Sequence, residues 1–75
     1  MTFYSNSKKQ IFNHEPLLIF LRDNDLPPQV FCALFNLDFS VVDKFLNDKY
    51  YDISVGNLIE IANALSISIK DLIKG

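Results

Sequence analysis

Two close pairs of carboxylates, Asp23/Asp25 and Asp43/Asp48, one histidine, His14, and one cysteine, Cys32, are the side chains whose types and spacing invite a chemical reading. Paired carboxylates act as general acid and base, or hold a cation, when a nucleophile, further ligands or a phosphate-cradling glycine loop accompanies them. None does here, so these four read as solvated surface groups. His14 stands alone ahead of an apolar run and reads as a surface or capping residue. A single cysteine makes no internal disulfide, and no cluster of metal ligands surrounds it. Cys32 therefore reads as a small buried residue rather than a redox thiol. Neither an enzyme nor a metal or cofactor site is expected.

The elements that position the remaining polar groups lie in the stretch from Leu26 to Lys49, LPPQVFCALFNLDFSVVDKFLNDK. Two prolines stop any helix arriving from upstream, and Pro28 suits a first helical position because its fixed φ matches a helix and its missing N–H is not needed there. Phe31, Cys32, Leu34 and Phe35 fall at spacings that share one face of a helix over Pro28–Phe35. Asn36 tolerates the left-handed conformation that a sharp corner needs. Asp38 can then cap a helix over Phe39–Asn47, in which Val41, Val42, Phe45 and Leu46 repeat at three- and four-residue steps. Helix, tight corner and second helix make a helix-turn-helix.

The chain has 75 residues, 49% of them apolar, which makes one small folded domain. No apolar run is long enough to span a bilayer. The opening MTFYSNSKKQIF has lysines but no apolar region behind them, so it is not expected to act as a secretory signal. A reducing, cytoplasmic setting is the simplest inference. Charge is the awkward feature. Seven basic side chains face nine acidic ones, for a net charge of −2. From Leu26 to Lys49 only Lys44 and Lys49 are basic, against Asp38, Asp43 and Asp48. DNA binding draws on lysine and arginine to neutralise phosphates, typically about 6–10 of them in strong binders.

In chain order, residues 1–13 form an N-terminal arm, with a frayed segment expected over 1–8 and Phe3, Tyr4, Ile11 and Phe12 available to pack on the body or on a partner. The domain proper is expected over 14–75. A first helix is expected from Glu15 to Asn24, started by Glu15 and Pro16, with Leu17, Leu18, Phe20 and Leu21 as its apolar stripe. After the helix-turn-helix and the loop NDKYYDI, Ser54 caps a fourth helix whose buried face is Val55, Leu58, Ile59, Ile61, Ala62 and Leu65. Gly56 lies in its first turn, where its cost is low. Ser68, with Asp71 at the capping-box position, starts a short fifth helix docked by Leu72 and Ile73. The expected fold is an all-α bundle of five short helices, without a sheet.

From Leu17 to Ile73 the sequence resembles the lambda-repressor/Cro-like helix-turn-helix (XRE) family. SVGNLIEIANALSISIKDLI is similar to that family's serine-capped helix, Ile-Ala-x-Ala-Leu, short turn and x-x-x-Leu. Ile61, Ala62, Leu65, Ile67, Ile69 and Leu72 stand at its apolar positions. Leu26, Phe31, Cys32, Leu37, Val42 and Phe45 match the skeleton of the helix-turn-helix, with Cys32 where the family usually has alanine. The resemblance implies a lambda-repressor-like bundle whose second motif helix presents Phe39, Ser40, Asp43, Lys44 and Asn47. Departures matter. Pro27 and Pro28 replace the Ser/Thr-Gln pair that touches phosphate in DNA-binding members, leaving Gln29 as a partial substitute. Leu46 stands where the family often has glutamate, and Asp48 where it has glycine. Asp43 would be repelled by phosphate, by roughly 1 kcal/mol at 4 Å even in water.

Two roles in transcriptional control, on a phage-type genetic switch, follow from the resemblance. In the first, an antirepressor like the small phage modulators of repression that the chain resembles, Phe39, Asp43, Leu46, Asn47, Tyr50 and Tyr51 bind the basic DNA-reading face of a partner repressor. In the second, a Cro-like dimer, Gln29, Ser40, Lys44, Asn47 and Lys49 grip or read DNA. An antitoxin role is a third reading.

Overall fold

A computed structural model describes residues 11–48 and 51–74. Helix α1 spans Glu15–Asp23, α2 Pro28–Phe35, α3 Phe39–Asn47 and α4 Val55–Leu65. The expected fifth helix is one 3₁₀ turn, Ile69–Leu72, so that four of the five expected helices are α-helices among the described residues. Four residues are too few to close an α-helical turn on both sides, and the cap bonds draw the segment tight. Ser68 accepts from the Lys70 N–H at 3.2 Å, while the Asp71 carboxylate accepts from the Ser68 N–H at 3.3 Å.

A second departure is a two-residue antiparallel ladder, Ile11–Phe12 against Ile73–Lys74. So short a ribbon has no independent stability. It is held because Phe12 packs on the core and Leu72, beside it, is fully buried. Asn13 fastens the junction: its N–H donates to the Leu72 carbonyl at 2.8 Å, its Nδ2 donates to the Asp71 carbonyl at 3.3 Å, and its Oδ1 accepts from the Glu15 N–H at 3.2 Å. One side chain thus starts α1 and ties it to the end of the chain, while His14, the residue at the helix boundary, makes no side-chain cap bond.

The caps of α3 and α4 follow the sequence reading. Asp38 Oδ1 accepts from the Ser40 N–H at 2.9 Å, and Ser54 Oγ from the Asn57 N–H at 3.2 Å. Pro28 opens α2 from an extended Pro27, and Asn36 closes it in the left-handed conformation at φ 57°, ψ 48°. Leu37 then donates to the Cys32 carbonyl at 2.8 Å, which completes the corner. Asp25 and Ser66 also turn left-handed, at φ 52° and 59°, after α1 and α4. Each of these three exits uses an ordinary residue where glycine would carry less strain.

The core is the shared interior of α1, α2, α3 and α4, with Leu17, Phe31, Val42, Ile61 and Leu72 almost fully enclosed. Phe20, Phe31 and Phe35 meet ring to ring, with centroids 5.1 to 6.2 Å apart. Burying Phe31 contributes roughly 1.5–3 kcal/mol. The buried stripes are narrower than the apolar spacing suggests. Leu18, Leu34, Val55 and Ile59 are exposed, and Ile73 does not join Leu72 inside. An eight-residue α2 can bury only one side, and it spends that side on Phe31 and Cys32. On α4 the enclosed stripe is Leu58, Ile61, Ala62 and Leu65, which leaves Val55 and Ile59 on its flank.

Candidate functional site

Helix α3 is fixed from behind. Val42 and Phe45 are buried, Val41 and Leu46 half-buried, and the rings of Phe12 and His14 approach Phe45 with centroids 6.3 and 6.4 Å away. Its opposite face carries Ser40, Asp43, Lys44 and Asn47, all exposed, with Phe39 40% exposed at its first position. Gln29, on the first turn of α2, is exposed as well. Tyr50 and Lys49 lie outside the described residues. Two of the residues expected to meet a partner are partly withdrawn: Leu46 and Tyr51 both pack against the core. Leu46 is one residue past Phe45 and shares the edge of its buried stripe, so its apolar area is already in use.

The polar side chains of α3 are engaged among themselves. Asn47 donates through Nδ2 to the Asp43 carbonyl and to Asp43 Oδ1, both at 2.9 Å. Lys44 reaches back over the Tyr51 ring, with Nζ 5.8 Å from its centroid, inside the range of a cation–π contact. Asp38 is committed to its cap. Around the helix the described carboxylates are Asp38, Asp43, Asp48 and the exposed Asp52, against Lys44 as the basic group. A depression lined by Phe35, Leu37 and Ala64, and a second, apolar one lined by Ile19, Phe20 and Ile67, include no α3 residue.

The groups that first suggest chemistry do not converge. Asp23 forms an exposed ion pair with Arg22 at 3.7 Å, and Asp25 serves the left-handed exit of α1. Among the described residues no group of three His, Cys, Asp or Glu side chains is placed to hold a metal. Burial pushes the Cys32 thiol up from its ordinary pKa, and the Asp38 charge adds to the rise, so it is a poor nucleophile. No described helix is long and apolar enough to cross a membrane.

Sequence reading missed Asn13 and the Asp43–Asn47 pair. The signals were present. Asn two residues before the first helical N–H is an Asx-turn starter, and Asp and Asn four apart on a helix are neighbours.

Two helices meeting at a left-handed Asn36 and an Asp38 cap, inside a four-helix body, define a helix-turn-helix domain. The chain belongs to the Cro/C1-type helix-turn-helix DNA-binding domain family, whose model matches residues 17–74. That family places it among transcriptional regulators and gives DNA as a possible partner. Searches of curated proteins and of solved structures return no match.

Proposed function

We propose that the chain is an antirepressor: a transcriptional regulator whose own helix-turn-helix face, centred on Phe39, Asp43 and Asn47, binds the basic DNA-reading domain of a partner repressor. One observation carries the reading. The amide nitrogen of Asn47 is turned back onto Asp43, 2.9 Å from its carbonyl and from its Oδ1, whereas base reading by asparagine needs that nitrogen to face outward and donate. The rest of the face agrees. It carries the Asp43 carboxylate, with Asp38 and Asp48 at the two ends of the helix, holds Lys44 against Tyr51, and adds an exposed phenylalanine. Charge complementarity to a basic face speeds encounter and selects the partner, while Phe39 supplies apolar contact.

Direct DNA binding in the manner of a Cro-like dimer is the second reading, favoured by family membership and by the exposure of Gln29, Ser40 and Lys44. The two readings separate experimentally. Under the first, Phe39→Ala and Asp43→Lys weaken capture of the cognate repressor and Lys44→Ala leaves it intact. If capture survives both of the first two substitutions, the face is wrong. Under the second, Lys44→Ala lowers DNA affinity on every sequence and flattens its salt dependence.

A further inference from the structure

We propose that Asp43 and Asn47 together form an acceptor-only fork that takes an arginine guanidinium from the partner; this rests on the antirepressor reading and names the chemistry of its contact. Primary amides offer two N–H donors and one carbonyl acceptor. In Asn47 the amide nitrogen faces inward, donating to the Asp43 carbonyl and to Asp43 Oδ1, each at 2.9 Å. Two acceptors facing the same nitrogen also fix which end of the amide is which. Asn47 Oδ1 and Asp43 Oδ2 remain, and neither has another partner among the described residues. The two side chains lie one helical turn apart on the exposed side of α3, so both open acceptors sit on one surface.

The two open oxygens offer only acceptors, and the one on Asp43 carries negative charge, while the neighbouring Lys44 is drawn toward the Tyr51 ring. Its complement is a cation with several donors held in a plane. Guanidinium presents five donors in a rigid fork, whereas an ammonium presents three on a single nitrogen. Lysine satisfies one acceptor well and the second poorly, so arginine is the preferred guest. Asp43 thereby has two tasks. Its carboxylate orients Asn47, and its second oxygen binds.

The test uses the full chain and two probes, a helical peptide with arginines at positions i and i+4 and the same peptide with lysines. Fluorescence anisotropy gives affinities, and nitrogen-15 spectra follow the side-chain amide of Asn47. The arginine peptide binds roughly five-fold tighter than the lysine peptide to the unsubstituted chain, and it moves the Asn47 amide signal. The ratio falls to near one in Asn47→Ala and in Asp43→Asn, which turns one acceptor into a donor. Asp52→Asn removes the same charge elsewhere, weakens both peptides alike and keeps the ratio. Equal affinities for the two peptides, or a ratio that Asp52→Asn and Asp43→Asn change equally, overturn the fork. Repressor capture that persists while the ratio is one sinks the fork alone. Arginine preference without repressor capture leaves the fork and sinks the broader reading.

Discussion

Replacing Asn13 with alanine removes two side-chain hydrogen bonds and leaves the backbone bond to Leu72 in place. The first, from the Glu15 N–H to Asn13 Oδ1, satisfies one orphan donor at the start of α1, a role worth about 1 kcal/mol. The second, to the Asp71 carbonyl at 3.3 Å, is long and exposed, and contributes about 0.5 kcal/mol. Their sum, about 1.5 kcal/mol, is a sizeable share of the roughly 4–11 kcal/mol expected for 75 residues. For a domain of this size it lowers Tm by about 6–12 °C. Circular dichroism at 222 nm during heating is the assay. Asn13→Asp keeps the acceptor for Glu15 and loses the donor for Asp71, so its loss falls between alanine and the unsubstituted chain. If Asn13→Ala shifts Tm by less than about 2 °C, the side chain does not join the two ends of the domain as described.

Ser66 sits at φ 59° at the exit of α4, so Ser66→Gly stabilises the fold by about 0.5–1 kcal/mol; an unchanged urea midpoint contradicts the strain assigned there. Because burial, and secondarily Asp38, raises the Cys32 pKa, the unfolded thiol ionises before the folded one. Stability that is complete at lower pH therefore falls as pH rises through the ordinary thiol range. Urea melts over alkaline pH, compared with Cys32→Ala, measure that fall, and parallel pH dependence in the two proteins refutes it. Iodoacetamide at pH 8 should likewise label the native chain far more slowly than the unfolded one.

Most of the fold is legible because the local signals agree with one another. Pro28, Asn36, Asp38, Ser54 and Ser68 each mark a helix end by conformational restriction or side-chain capping, and each stands where the structure uses it. What escapes the sequence is non-local or one-sided. The ladder between Ile11–Phe12 and Ile73–Lys74 joins opposite ends of the chain, and neither strand has enough residues to show a period. Apolar spacing gave Val55, Ile59 and Leu34 to the interior, yet a helix packed on one side has no neighbour for its flank. For the candidate face, the exposure of Phe39, Asp43 and Asn47 was readable from the buried positions between them. The inward turn of the Asn47 amide was not, since it depends on which of several rotamers the Asp43 carboxylate captures.

The most direct measurement adds the purified chain to a preformed complex of the cognate repressor with labelled operator, at physiological salt, beside a lane of chain and operator alone. The account predicts that the chain releases free operator and leaves naked operator unshifted. Retardation of naked operator by the chain itself, lost in Lys44→Ala and retained in Asp43→Asn, would contradict it.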